Sequence, residues 1–136
     1  MFSIGQLSKR TGVKIPTIRY YEQMGLIEAP ERSEGNQRRY TKDGLSRLLF
    51  IRHSRDLGFS IENIKDLLEL SQHPEKPCHD AHSIAVQHLE DVQGRISKLR
   101  RLEKELERIC KCDSDNISNC SVIETLADHE LCEAEH

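Results

Sequence analysis

Aromatic side chains make up only 4% of these 136 residues, and hydrophobic residues of all kinds 36%, against 32% that are charged. A monomer so poor in large apolar groups struggles to bury enough surface, so a partner subunit is expected. No run of eighteen apolar residues occurs, and no membrane segment is expected. The opening MFSIGQLSKR lacks the apolar stretch of a secretory signal, which makes the cytoplasm the expected compartment. There is no phosphate-binding loop and no nucleophile–base pair, and the His and Asp residues form no spaced set, so an enzyme is not expected. Cysteine is missing from the first 77 residues and then occurs five times, at 78, 110, 112, 120 and 132. In a reducing compartment these remain thiols, which points to metal binding or redox chemistry rather than a disulfide framework.

Charge is divided as unevenly as cysteine. Residues 1–60 carry 11 Lys+Arg against 6 Asp+Glu, a net of +5, whereas residues 61–136 carry 9 against 17, a net of −8. A basic half joined to an acidic half suits a nucleic-acid-binding head with a separate body.

Local signals divide the basic half into short helices. Ser3-Ile4-Gly5-Gln6 reads as a capping box, Gly12 as a turn with Val13 packed beneath it, and Pro16 as a first-turn residue of a second helix. Gly25 is a natural stop. Two short helices around a glycine turn form a helix-turn-helix candidate, whose second helix presents Lys14, Thr17, Arg19, Tyr20 and Tyr21 toward DNA. Leu26-Ile27 and Arg38–Tyr40 suggest two short strands around a Gly35-Asn36 turn. With Arg32, Arg38 and Arg39, that hairpin has the character of a DNA-contacting wing. Thr41 and Ser60 are candidate N-caps of a third and a fourth helix, and His73-Pro74-Glu75-Lys76-Pro77 breaks the chain.

A proline-free helix follows from about Ala81 to Cys110. Leu89, Val92, Ile96, Leu99, Leu102, Leu106 and Ile109 recur along it at steps of three and four. Thirty residues at a rise of about 1.5 Å span roughly 45 Å, too long for so small a domain to cover, so the seam is expected to pair with its symmetry mate as a coiled coil. A polar stretch from Lys111 to Cys120 ends the helix, and Ser121–Leu126 reads as a short amphipathic helix before an acidic tail.

These residues resemble the MerR family of bacterial regulators from Ile4 to about Leu126. The most specific motifs are Thr17-Ile18-Arg19-Tyr20-Tyr21-Glu22 with Gly25-Leu26, and Arg32-Ser33-Glu34-Gly35-Asn36-Gln37-Arg38-Arg39-Tyr40. Phe50-Ile51-Arg52 and Leu57-Gly58-Phe59-Ser60 extend the match. The resemblance implies a mainly α fold in three parts. Residues 1–76 would form a winged helix-turn-helix DNA-binding domain with two supporting helices, and 77–111 a dimerisation helix. Residues 112–136 would form a metal-binding loop, a short helix and a tail. It also implies that Arg19 and Tyr21 touch DNA and that Arg32, Arg38, Tyr40 and Arg55 grip phosphates. Gln37 departs from the Tyr common in relatives.

Cys112 and Cys120 lie in a polar loop that can fold two thiolates onto one ion, and thiolates select Cu(I), Zn(II), Cd(II), Hg(II) or Pb(II) over hard cations. The start of a helix after Cys120 favours a thiolate there. In the metal-responsive branch of the family this loop is the effector site. In its divalent-sensing members a third cysteine near the start of the dimer helix comes from the other subunit, and Cys78 stands at that place. Copper(I)-type relatives have another residue there. The resemblance thus implies cadmium, lead or zinc, then mercury, held by Cys78 of one subunit with Cys112 and Cys120 of the other. Zinc usually takes a fourth ligand, for which His88 is a candidate. Cys110 and His79 are further auxiliary candidates, each also readable as an ordinary helix-surface residue, as is His82.

The family's mode of action implies a homodimer reading inverted-repeat half-sites of double-stranded promoter DNA. Metal would distort the DNA, acting on RNA polymerase indirectly and activating a metal-resistance or efflux operon. Thiol redox sensing and Cu(I) sensing are the alternatives within the family. The spacing of Cys110, Cys112 and Cys120 does not supply the four close cysteines of an iron–sulfur sensor. The region after the long helix is too small for a drug-binding domain.

Overall fold

Ser3 begins the first helix by accepting the Gln6 N–H on its hydroxyl at 3.1 Å, while its own N–H donates to the Gln6 side chain at 2.9 Å. This capping box opens α1 (Ile4–Thr11) in a computed structural model that describes residues 1–28, 31–32, 38–111 and 116–128. The helix ends where Gly12 adopts φ 74°, a left-handed conformation that suits a residue without Cβ. α2 (Ile15–Gln23) follows at once with Pro16 in its first turn. Thr41 caps α3 (Lys42–Asp56) and Ser60 caps α4 (Ile61–Ser71), each hydroxyl accepting a backbone N–H at 3.1 Å.

The chain divides into two compact units, Met1–His82 and Ser83–His136. The first is built on Leu7, Ile18, Leu48, Ile51 and Ile64, all fully buried, with Val13, Tyr21, Leu26, Ile27, Tyr40 and Leu68 completing its core. Fully burying an aliphatic side chain of this kind is worth about 1.5–3 kcal/mol. Two arginines tie its helices together. Arg52 donates to the Thr11 carbonyl at the end of α1, and Arg47 donates through Nε and a terminal nitrogen to the Leu26 carbonyl at 3.0 and 2.8 Å.

The wing is narrower and later than the sequence suggests. Glu31–Arg32 (β1) pairs antiparallel with Arg38–Arg39 (β2), with Glu31 opposite Arg39 and Arg32 opposite Arg38. Leu26-Ile27, expected as the first strand, is instead a bend after Gly25, which has φ 78°. Both residues are 2% exposed. A strand with one wet face alternates in and out, whereas here two successive side chains enter the core, so the segment serves as a plug. The expected Gly35-Asn36 turn lies outside the described residues. Tyr40 forms an isolated bridge with Phe2, whose N–H donates to the Tyr40 carbonyl at 2.8 Å.

α5 (His79–Cys110) runs 32 residues, about 48 Å at the α-helical rise. In the second unit it is followed by a 3₁₀ turn at Ile117–Asn119 and by α6 (Ser121–Ala127). Along α5 the side chains of Val86, Leu89, Ile96, Leu99 and Leu106 are 37–64% exposed, and Leu99, Leu102 and Leu106 line a shallow trough with Cys110 at its end. An apolar stripe of this length left in water is the surface a second helix covers.

Gly12 carries the first testable consequence of this fold. A Cβ there would meet the Arg52 guanidinium as well as an unfavourable backbone angle. Gly12→Ala is expected to destabilise the first unit by about 1–2 kcal/mol, the cost of a left-handed non-glycine residue. Urea unfolding measures this, and an unchanged midpoint would refute it.

Candidate functional site

Burial divides α2 into two faces. Ile18 and Tyr21 point into the core, whereas Lys14, Arg19 and Tyr20 are exposed and Thr17 is half-buried. The exposed set combines two cations with a phenol that is 54% accessible, a chemistry suited to phosphates and base edges. β2 brings Arg39 in half-buried, and the backbones of Arg32 and Arg38 face each other across the β1–β2 pair. Arg55, near the end of α3, is exposed and donates to the Phe59 carbonyl at 2.9 Å.

Two residues expected at the DNA surface belong mainly to the core. Tyr21 is 8% and Tyr40 2% exposed. The Tyr40 hydroxyl donates to the carboxylate of Glu22, joining the end of the wing to α2. The reason is geometric: a helix that lays one face on the core buries whichever aromatic falls on that face, and Tyr21 follows Ile18 by three positions. Sequence reading missed the structural use of Arg47 and Arg52, whose partners lie 21 and 41 residues away. Nothing local in the sequence marks such pairings.

The thiols occupy the ends of the long helix. Cys78 directly precedes α5 and is exposed, its carbonyl accepting the His82 N–H at 2.9 Å. Cys120 is the N-cap residue of α6, half-buried, and its side chain makes no capping hydrogen bond. Cys110 is exposed at the last position of α5. Cys112 and Cys132 lie outside the described residues. His79 and His82 are exposed and His88 is half-buried. Among the described residues no group of three or more His, Cys, Asp or Glu side chains is arranged to hold a metal ion. Cys78 and Cys120 are uncrosslinked thiols that accept soft ions, so the donor chemistry fits a thiophilic metal.

A helix-turn-helix with an exposed basic face, a two-stranded arginine wing and a long helix with a bare apolar stripe define a DNA-binding regulator. A profile of the MerR helix-turn-helix family of regulatory proteins matches residues 2–71, and a second, the MerR DNA-binding profile, matches residues 45–109. Over 130 residues the chain is 39% identical to the HTH-type transcriptional regulator ZntR of Escherichia coli K12, covering 93% of this chain and 92% of that one. It is similar to the crystal structure of the regulator PbrR691 from Ralstonia metallidurans CH34 in complex with lead(II), with a TM-score of 0.81 and 36% identity over 93% and 99% of the two chains. It is also similar to the structure of MerR from Bacillus megaterium MB1 in complex with mercury(II), with a TM-score of 0.71 and 34% identity over 93% and 100%. The chain belongs to the MerR family. It is a DNA-binding transcription regulator and not an enzyme. Among the described residues no helix is long and apolar enough to cross a membrane.

Proposed function

We propose that this regulator works in the cytoplasm as a homodimer on a promoter spacer with inverted-repeat half-sites, and that a divalent soft or borderline ion switches it on. The ion is cadmium, lead or zinc, then mercury, held by Cys112 and Cys120 of one subunit and Cys78 of the partner subunit. Its target is a metal-resistance or efflux operon. The observation that carries this reading is chain-long similarity to a regulator solved with lead(II), in a chain whose own thiols stand at the two ends of α5.

When bound, the ion supplies a link between thiolates that no side chain in the chain provides. The protein's own residues do the rest. Cys120 is pinned through its backbone, its N–H donating to the Ile117 carbonyl at 3.1 Å and its carbonyl accepting the Glu124 N–H at 3.0 Å. The α5 seam joins the two protomers, so a thiol contributed across it ties effector binding to the arrangement of two DNA-reading heads. Switching requires that the ion favour the activating arrangement over the repressing one, since equal affinity for both shifts nothing. Polymerase then responds to the distorted promoter rather than to a new contact with the ion.

A promoter–reporter titration with each metal, in the wild type and in Cys78→Ser, tests the whole reading. Induction by Cu(I) or Ag(I) alone would overturn the divalent assignment. On the DNA side, Arg19→Ala is expected to weaken operator binding by roughly 5- to 150-fold, the scale of one side chain's contact with a base edge. A gel shift measures it, and undiminished affinity would remove Arg19 from the interface.

A further inference from the structure

The last carbonyls of an α-helix have no donor within the helix. At the end of α5 one of them, that of Ile109, accepts a hydrogen bond from the Ser121 hydroxyl at 3.1 Å, twelve residues further along the chain. Ile109 is 7% exposed, and the neighbouring turn contributes Glu105, 8% exposed and paired with Arg108 at 3.1 Å. Ser121 is the first residue of α6, and Thr125, one turn on, is also buried. The beginning of α6 is therefore fastened to the end of α5 by a side chain, at a position sheltered from water.

That fastening bears directly on Cys120, the residue before Ser121. The backbone of Cys120 is fixed from both sides by its bonds to Ile117 and Glu124, at φ −73° and ψ 119°. Its thiol makes no capping bond to α6. A serine hydroxyl has a single O–H to give, and here it is given to Ile109. Ser121 thus ties the residue next to Cys120 to the last turn of α5.

We infer that Ser121 is a positioning residue for metal sensing: its bond to the Ile109 carbonyl holds the Cys120 thiol at the end of α5 before any ion arrives. Pre-placed ligands bind more tightly because the ordering cost is met during folding instead of on binding. The part of this inference that concerns metal rests on the metal-responsive reading above. The part that concerns the thiol's position does not.

The test uses the full chain as wild type, Ser121→Ala and Ser121→Thr, the last keeping a hydroxyl. In metal-free protein, the rate at which Cys120 is alkylated is followed by peptide mapping, with exposed Cys78 as internal reference. Pb(II) binding is followed by thiolate-to-lead absorbance, and operator binding without metal by gel shift. Ser121→Ala is expected to raise Cys120 alkylation relative to Cys78. It is also expected to weaken Pb(II) binding by roughly three- to tenfold, the scale of one neutral hydrogen bond, at unchanged stoichiometry. Metal-free operator binding should stay at the wild-type level, and Ser121→Thr should restore both altered readings. Unchanged alkylation in Ser121→Ala overturns the inference, as does a threonine variant that behaves like alanine. If wild-type protein takes up no Pb(II), the metal reading fails at that point, and the alkylation result still decides the role of Ser121.

Discussion

Replacing Cys78 with serine is expected to abolish the divalent-metal response of the promoter while leaving metal-free operator binding intact. Cys78 is exposed and outside the hydrophobic core, so its removal costs the head no packing. In the proposed site it is one of only three thiolates. Loss of an outer-shell partner of a metal ligand typically costs 10- to 100-fold in affinity, and loss of a ligand costs at least that. The metal concentration for half-maximal induction should therefore rise by at least about 10- to 100-fold, or induction should vanish within the tolerated range. A reporter titration with Cd(II), Pb(II), Zn(II) and Hg(II), beside a gel shift without metal, separates sensing from DNA binding. An unaltered response in Cys78→Ser would dismantle the three-cysteine site. A response lost together with metal-free operator binding would mean that Cys78 supports the fold instead.

The other large effect concerns the seam of α5. Leu99 is 64% and Leu106 57% exposed, on a helix whose sequence repeats apolar residues at steps of three and four. Carrying both as glutamate puts two charges into an apolar seam, which coiled-coil packing rejects. Leu99→Glu with Leu106→Glu should give a monomer in sedimentation. Neither side chain belongs to the core of the first unit, so that unit should keep its thermal transition. Operator affinity should then fall by about 10²–10⁴-fold, because the second head no longer binds at the effective concentration supplied by the first. A variant that remains dimeric would place the interface elsewhere. One that is monomeric yet binds with wild-type affinity would show that a single head suffices.

Much of the head was legible because its signals are local. A serine or threonine three residues before the N–H it caps, a glycine at the one left-handed position of a turn, and a proline in a helix's first turn each act within one turn of chain. Ser3, Gly12, Pro16, Thr41 and Ser60 all behave accordingly. What failed was long-range. Leu26-Ile27 has the apolar character of a strand, and only the fold discloses that the first wing strand is Glu31–Arg32. Tyr21 and Tyr40 carry polar tips that suggest a surface role, yet both rings are buried within the core of the first unit. The site was legible in a different sense. Which residues are thiols is written in the sequence, as is the position of Cys120 ahead of a helix. The proposed meeting of Cys78, Cys112 and Cys120 is not, because a ligand set drawn from two subunits would leave no spacing pattern in either.

The guanidinium groups of Arg47 and Arg52 have a consequence for how tightly the head can hold DNA. Affinity for a duplex rises with the number of phosphates a protein neutralises, because each one releases condensed counterions to the solvent, and this is what makes binding weaken as salt is added. The formal +5 of residues 1–60 includes these two arginines, but one is committed to the Leu26 carbonyl and the other to Thr11. They enter the long-range field that draws the head toward the duplex, but each has N–H donors spent on a carbonyl and so fewer to offer a phosphate. Such a head is drawn to the duplex by more charge than it brings into phosphate contact, so its long-range attraction exceeds its grip.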